Sequence, residues 1–229
     1  MVRLAQERGI ISASVIDIRE FATDHHRTVD DRPYGGGDGM VLLPEPLGKG
    51  INAVKKASPD SLVALLTPQG RPFDQAMAAW LATKPGLILI CGRYEGVDDR
   101  VSQTCVDIEI SIGDFILTGG ELGAMIVIDA TTRLLEGVLG GETSVEKESF
   151  STDRLEHAHY TRPQEFQGIK VPEILLKGHH ARIDAWRKES ALIRTLLKRP
   201  DLLNKTPLTE NEREIAEIFY KRLEKLLYG

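Results

Sequence analysis

The stretch Leu87–Gly96, LILICGRYEG, joins a short apolar run to a loop that contains two glycines. Two further stretches have the same form: Leu62–Gly70, LVALLTPQG, and Asp107–Gly113, DIEISIG. Between the first two, Phe73–Thr83 repeats apolar residues at helical spacing. Short apolar runs that alternate with a helix are typical of buried strands in a mostly parallel sheet. The sequence therefore predicts an α/β fold.

All three apolar runs are followed by glycine-bearing loops, which read TPQG, CGRYEG and SIGDFILTGGEL. Ligands of open α/β sheets bind outside the carboxyl ends of the strands, where such loops converge. Glycine there lets backbone N–H and C=O groups come close to a ligand. Three ordinary tight turns would give the same pattern, so each loop alone predicts little. Together they indicate a ligand site.

The chain changes character after this region. Glu121–Leu135 continues as an apolar helix, whereas residues 141–161 lack periodicity and are expected to form a flexible linker. Two helices are predicted beyond it, at Ala181–Lys198 and Glu210–Leu227. Thr209 and Glu212 have the spacing of a capping box at the start of the last helix. We predict an α/β domain at 1–140 and a small helical domain at 162–229.

The composition limits the class of protein. A chain of 229 residues with 41% hydrophobic and 28% charged residues is typical of a globular protein with a substantial core. Its two cysteines, Cys91 and Cys105, cannot form a disulfide framework, and small buried thiols are the simpler interpretation than catalytic ones. No run reaches the roughly 18 apolar residues that span a bilayer. We expect a cytoplasmic protein with no membrane partner.

The distribution of charge is uneven. The formal net charge is −5, which argues against a nucleic-acid partner for the chain as a whole. His179–Arg199, however, has two acids and six basic residues: Arg182, Arg187, Lys188, Arg194, Lys198 and Arg199. Phosphate contacts need only a local basic patch, although a solvated helix face would look the same.

Two further motifs predict no site. Gly48–Ala53, GKGINA, matches the dinucleotide-binding pattern but follows no clean strand and lacks the acidic residue that should come about twenty positions later, so we interpret it as a chance match. The histidine pairs His25/His26, His157/His159 and His179/His180 lack the helical spacing of a zinc site, and no metal site is predicted from them.

Four motifs, which occur along the chain in the same order as in one family, resemble that family. CGRYEGVDDR at Cys91–Arg100, SIGDFILTGGEL at Ser111–Leu122, VDDRPYGGGDGM at Val29–Met40 and HYTRP at His159–Pro163 are similar to the tRNA (guanine-N1)-methyltransferase family TrmD, of the SPOUT superfamily. The similarity covers essentially the whole chain. It implies an α/β domain with a deep trefoil knot, a helical tRNA-binding domain, and a homodimer whose active sites lie at the subunit interface.

The resemblance also implies a reaction. S-adenosylmethionine would be the methyl donor, and N1 of the guanosine directly 3′ of the anticodon in tRNA the acceptor. A magnesium requirement is implied as well, although no ligand cluster in the sequence derives it. The family fold has a first strand ahead of the segment that begins at Val2, so the chain as given is expected to lack that strand.

The family's functional residues carry over onto matching positions. The catalytic base corresponds to Glu148, with Asp153 as the alternative, and the arginine that stabilises charge on guanine O6 corresponds to Arg133. Glu156 matches a residue that contacts the methionine end of the cofactor from the partner subunit. The cofactor loops are expected to comprise Leu66, Thr67, Pro68, Gly92, Tyr94, Glu95, Gly96, Ile112, Gly113, Asp114, Phe115, Ile116, Leu117, Gly119 and Gly120.

This chain departs from the family pattern at several of these positions. Glu148 and Glu156 stand where aspartate is usual, Gly123 where proline is usual, and Phe115 where tyrosine is usual. Two alternatives therefore stay open at this point. One is a different knotted RNA methyltransferase, and the other is a relative that binds RNA without catalysis.

Overall fold

A computed structural model describes residues 1–139 and 148–228 of the chain. The chain divides into two compact units, Met1–Gly140 and Gly141–Gly229, and each is described here by itself. None of the helices in the described ranges combines the length and the apolar character needed to cross a membrane.

The first unit contains five strands and five helices among its described residues. The strands are β1 (Asp30–Asp31), β2 (Val41–Leu42), β3 (Leu62–Pro72), β4 (Leu87–Cys91) and β5 (Ile108–Ser111). The helices are α1 (Val2–Glu7), α2 (Pro44–Ala57), α3 (Gln75–Ala82), α4 (Asp99–Cys105) and α5 (Glu121–Thr132), with a 3₁₀ turn at Ile18–Phe21.

A parallel sheet in the order β4–β3–β5 forms the centre of this unit, which confirms the predicted α/β class. Side chains of β3 alternate between two buried clusters. Ala64 and Leu66 belong to the one that includes residues of α3 and α5, whereas Val63 and Leu65 belong to the one that includes residues of α2 and α4. Because both faces are covered, the first part of the strand, Leu62–Leu66, is continuously apolar instead of alternating.

We expected the first strand to end with its apolar run at TPQG, and this expectation was wrong. β3 continues to Pro72, and Ile110 of β5 pairs first with Leu66 and then with Arg71, so the intervening residues form a bulge inside the strand. A Cβ atom at Gly70 would overlap the backbone of Ile110. Glycine at this position therefore allows the two strands to meet again after the bulge.

The helix α2 explains the GKGINA match. Pro44 lies in its first turn, where a missing N–H costs nothing, so the two prolines begin the helix instead of interrupting a strand. Gly48–Ala53 lies inside α2 and not in a strand-to-helix loop. The interpretation as a chance match is confirmed.

The second unit is built around two helices. They are α6 (His180–Lys198) and α7 (Glu210–Tyr228), accompanied by the two-residue strands β6 (Glu165–Phe166) and β7 (Ile169–Lys170) and by 3₁₀ turns at Glu173–Leu175 and Pro200–Asn204. Of the expected linker, residues 141–147 lie outside the described residues, and 148–161 contain no helix or strand.

The start of α7 has the predicted capping box. The backbone N–H of Glu212 donates to Oγ1 of Thr209 at 3.3 Å, and the N–H of Thr209 donates to Oε2 of Glu212 at 2.8 Å. The same carboxylate is held by Arg154, whose Nε lies 2.9 Å from Oε1 of Glu212. The 148–156 segment is thereby joined to the start of α7.

Candidate active site

Two of the predicted cofactor loops are in direct contact at the carboxyl edge of the sheet. The N–H of Gly120 donates to the carbonyl oxygen of Gly92 at 2.8 Å, and Arg93 forms a β-bridge with Gly119. A Cβ atom at Gly120 would lie 2.8 Å from the Cα of Cys91. Glycine at 120 is therefore required for the loop after β5 to reach the end of β4.

An ion pair reinforces this contact. Nε of Arg93 lies 2.7 Å from Oε1 of Glu121, the first residue of α5. The hydrogen bond to Glu121 raises the pKa of the Arg93 guanidinium, while the backbone N–H of Glu121 itself and then Arg93 lower the pKa of the Glu121 carboxyl. Both groups are thus charged over the ordinary pH range.

The glycine-rich segment that ends at Met40 packs beside the same loops. The N–H of Glu95 donates to the carbonyl oxygen of Met40, and the N–H of Leu42 donates to the carbonyl oxygen of Gly96, each at 3.0 Å. Tyr94 adopts a left-handed conformation with φ +57°. The loop after β4 is therefore fixed on two sides, by residues 119–121 and by residues 40–42.

The loop after β5 combines an ordered start with an exposed apolar tip. The hydroxyl of Ser111 lies 3.3 Å from both the N–H and the carbonyl oxygen of Gly113. Phe115 and Ile116 are exposed by 53% and 81%, and Asp114 and Leu117 are also exposed. An exposed apolar surface of this kind suits the apolar part of a ligand.

The loop within β3 contributes differently. The side chain of Leu66 is buried in the core, where it lies against Gly123 of α5, so it is not available to a ligand. Thr67 is half-buried and Pro68 is exposed. Because Leu66 pairs with both Cys91 and Ile110, all three loops leave the sheet at the same edge.

The thiol of Cys91 lies at this edge but is poorly suited to nucleophilic attack. Burial, followed by the nearby Glu121 carboxylate, raises the pKa of Cys91 against the opposing effect of Arg93. A thiol with a raised pKa stays protonated, and the thiolate is the nucleophilic form.

The predicted catalytic residues belong to different units. Arg133 caps the C-terminus of α5 in the first unit and is half-buried. Glu148 begins the described part of the second unit, is half-buried, and accepts the N–H of Ser151 with its carbonyl oxygen at 3.3 Å. Asp153 has φ +53°, and its carboxylate accepts a hydrogen bond of 2.6 Å from the hydroxyl of Thr206.

The structure also brings together three side chains that were not predicted to form a site, those of Glu156, His157 and His159. Oε1 of Glu156 lies 3.0 Å from Nε2 of His159, and the rings of His157 and His159 have centroids 4.4 Å apart. The zinc pattern sought in the sequence has helical spacing, whereas Glu156–His159 lies in an irregular segment. A Glu-His-x-His sequence was the one signal that could have indicated the group.

Half of the basic residues of His179–Arg199 are engaged locally or covered. Arg187 pairs with Asp184 at 3.2 Å and Arg199 with Asp201 at 2.7 Å, whereas Nε of Arg194 is buried. Within the described ranges, Arg182, Lys188 and Lys198 form no ion pair. These three side chains are exposed.

Comparison with known proteins gives a consistent result. The model of the family described as tRNA (Guanine-1)-methyltransferase TrmD matches residues 1–205. A protein of Desulfatibacillum aliphaticivorans is 50% identical over 99% of this chain and 87% of its own length. Proteins of Carboxydothermus hydrogenoformans and Halalkalibacterium halodurans are 54% and 51% identical, over 93% and 98% of this chain and 83% and 92% of their own lengths. All three are named tRNA (guanine-N(1)-)-methyltransferase.

Proposed function

The chain belongs to the tRNA (guanine-1)-methyltransferase family, and from this we infer that it methylates N1 of the guanosine at position 37 of tRNA, directly 3′ of the anticodon. The family match over residues 1–205 is the observation that carries this conclusion. The arrangement of the three loops at one edge of a parallel sheet supports it, because that edge is where a ligand of such a sheet binds.

We propose that these loops hold S-adenosylmethionine. The bound cofactor supplies an electrophilic methyl group on a sulfonium, so no protein residue has to activate it. The loops fit such a ligand, because Gly92, Gly96 and Gly113 carry no side chain that would keep it from the backbone, and Tyr94 and Ile116 offer exposed apolar surface. We assign Glu156 to the methionine end of a cofactor held by the partner subunit.

Two residues carry the chemistry in this proposal. Guanine N1 bears a proton at neutral pH and becomes nucleophilic only when the proton leaves, so the carboxylate of Glu148 accepts it as the general base. Arg133 stabilises the negative charge that then develops on O6. Asp153, whose carboxylate accepts a hydrogen bond from the hydroxyl of Thr206, is the alternative base.

The proposed assembly is a homodimer. One face of α5 is buried through Gly123, Ala124 and Val127, but its other face is apolar as well, with Leu122 and Met125 exposed by 56% and 64%. Exposed apolar surface of this kind marks an interaction site, and the tip of the neighbouring loop extends it. We propose that a second copy covers this surface and completes the active site.

We also propose the other properties that the family resemblance implies. They are a trefoil knot in the first unit, tRNA binding by the helical second unit, and a cytoplasmic location, which two free cysteines suit. Arg182, Lys188 and Lys198 are the proposed phosphate contacts. A magnesium requirement stays a prediction. The described parts of the chain contain one cluster of possible metal ligands, and two of its three members are imidazoles, whereas magnesium prefers oxygen ligands.

The decisive experiment measures transfer of labelled methyl from S-adenosylmethionine to an unmodified tRNA with guanosine after its anticodon. The matched control is the same tRNA with adenosine at that position. We expect label in the guanosine tRNA alone, and in N1-methylguanosine after digestion to nucleosides. Equal labelling of both tRNAs, or label on a ribose, would contradict the proposed reaction.

A further inference from the structure

The side chains of Glu156, His157 and His159 form a compact group of possible metal ligands in the second unit. One ligand atom from each lies within 4.8 Å of the other two. Ligands of a tetrahedral ion with bonds of 2.0–2.1 Å are roughly 3.3 Å apart, so small side-chain rotations would complete the geometry. The Glu156 and His159 side chains are 31% and 65% exposed, which leaves an ion a path of entry.

The hydrogen bonds of the two histidines fit this use. Nδ1 of His157 lies 3.1 Å from the carbonyl oxygen of Ala158, and since a carbonyl can only accept, Nδ1 must be the donor. In the neutral ring Nε2 then carries the lone pair. Histidines that bind metals commonly donate their other ring N–H to a backbone carbonyl in this way, which fixes the tautomer.

The backbone of the segment is fixed by hydroxyl groups on both sides. The N–H of Glu156 donates to Ser149 Oγ at 3.0 Å, that of Ala158 to Ser190 Oγ at 3.1 Å, and that of Leu155 to Thr195 Oγ1 at 2.9 Å. Thr195 is fully buried in α6. Leu155 and Ala158, which flank Glu156 and His157, are thus bonded to α6 although their own segment is irregular.

We propose that Glu156, His157 and His159 form a binding site for a borderline transition-metal ion, of which Zn²⁺ is the best-suited example. Two imidazole nitrogens and one carboxylate oxygen are a known three-ligand set for zinc and leave a fourth position open. Nε2 of His159, which now donates to Glu156, loses its proton to solvent when the ion takes that place.

The test uses the full-length chain with any affinity tag removed, treated with EDTA and dialysed. Co²⁺ is titrated in and followed by its visible absorption, and Zn²⁺ is then added to displace it. We expect one Co²⁺ per chain. His157→Gln and His159→Gln should each weaken binding by at least about 10–100-fold, since removing even an outer partner of a metal ligand has that effect.

A matched control lies in the same unit. His179→Gln and His180→Gln alter an exposed histidine pair elsewhere in the unit and should leave Co²⁺ binding unchanged. Trp186 gives an independent readout, because its ring centroid lies 6.2 Å from that of His157. In a Trp80→Phe background, bound Co²⁺ should quench the fluorescence of Trp186. Binding that survives both His157→Gln and His159→Gln, or that is lost equally in the controls, would overturn the proposal.

A consequence rests on the proposed role of Glu156 in cofactor binding. An ion held by Glu156 would compete with the methionine end of the cofactor, so saturating Zn²⁺ should weaken S-adenosylmethionine binding in the wild type but not in His157→Gln. Metal binding is measured first, without cofactor. An unchanged cofactor affinity in zinc-loaded protein would therefore contradict the cofactor role of Glu156 and leave the metal site standing.

Discussion

Nε of Arg93 lies 2.7 Å from Oε1 of Glu121, and this contact joins the loop after β4 to the first turn of α5. Glu121 also stands at the N-terminus of the helix, where a negative charge is favourable. The two partners are separated by 28 positions in the sequence, so their contact exists only because the fold brings the proposed cofactor loops together.

Removal of this contact should affect binding more than folding. Glu121→Gln is expected to lower S-adenosylmethionine affinity by no more than about fivefold, because an exposed ion pair contributes little. Calorimetric titration measures the change. Glu7→Gln, which removes the exposed partner of Arg3 in α1, is the control and should leave affinity unchanged. An equal loss in both variants would show that the Arg93–Glu121 pair has no specific role.

The effect of Glu121→Gln should depend on pH. The pKa of Glu121 is lowered, so the pair is intact above the ordinary carboxyl value of 4.5 and is lost only as the pH falls through the lower value of the folded protein. The difference between wild type and variant should therefore be present at neutral pH and disappear in acid.

Gly70 should tolerate no side chain. Gly70→Ala forces apart the backbones of β3 and β5, and we expect a loss of about 1–3 kcal/mol in the free energy of unfolding, as for other overpacked positions. The control is Gly48→Ala inside α2, where a Cβ meets nothing within 4 Å and alanine should stabilise the helix by about 0.5–1 kcal/mol. Urea unfolding distinguishes the two. Gly70→Ala with wild-type stability would contradict the close approach.

The assignment of the general base has its own test. Glu148→Gln should bind cofactor and tRNA normally but transfer methyl about 10²–10⁴ times more slowly, since it cannot accept the N1 proton. Asp153→Asn is the matched variant, because asparagine tolerates the left-handed conformation found there, and it should keep most of the activity. Single-turnover rates measure both. An inactive Asp153→Asn beside an active Glu148→Gln would reverse the assignment.

The pair of Arg154 and Glu212 should govern the stability of the second unit. Their side chains are 10% and 21% exposed, and Glu212→Gln leaves the Arg154 charge without its partner. We expect the free energy of unfolding at neutral pH to fall by about 3 kcal/mol, the lower end of the range for breaking a buried pair. An Arg154→Met/Glu212→Gln double variant should lose less than the sum of the single changes, as a coupled pair requires.

Because of the same pair, we expect the free energy of unfolding to fall at acidic pH. Burial raises the pKa of Glu212, but hydrogen bonds from Arg154 and Thr209 outweigh it, and the net pKa lies below the ordinary value of 4.5. The contribution of Glu212 is therefore complete above that value and is lost as the pH falls through the lower folded-state value. Glu212→Gln should remove this part of the pH dependence. An unchanged loss of stability in acid would show that Glu212 is not its source.

Several elements were predictable because their signals are local. Glycine-bounded apolar runs predicted β4 and β5 almost to the residue, and Thr209 with Glu212 predicted the start of α7. The four family motifs predicted the family, and the match of the family model to residues 1–205 confirmed it. Each of these features is read from residues that are neighbours along the chain.

Other features depended on contacts between distant segments. No local pattern at TPQG distinguishes a turn from a bulge, because Gly70 is required by the backbone of Ile110, forty positions away. No helical spacing reveals that the side chains of Glu156, His157 and His159 lie together, because hydroxyls of α6 bond that irregular segment. The sequence by itself determined the fold class, the family and four of the helices, α3, α5, α6 and α7. Only the tertiary structure decided which loops, glycines and ligands meet, because close approach depends on how separate elements pack and not on the order of residues within any one of them.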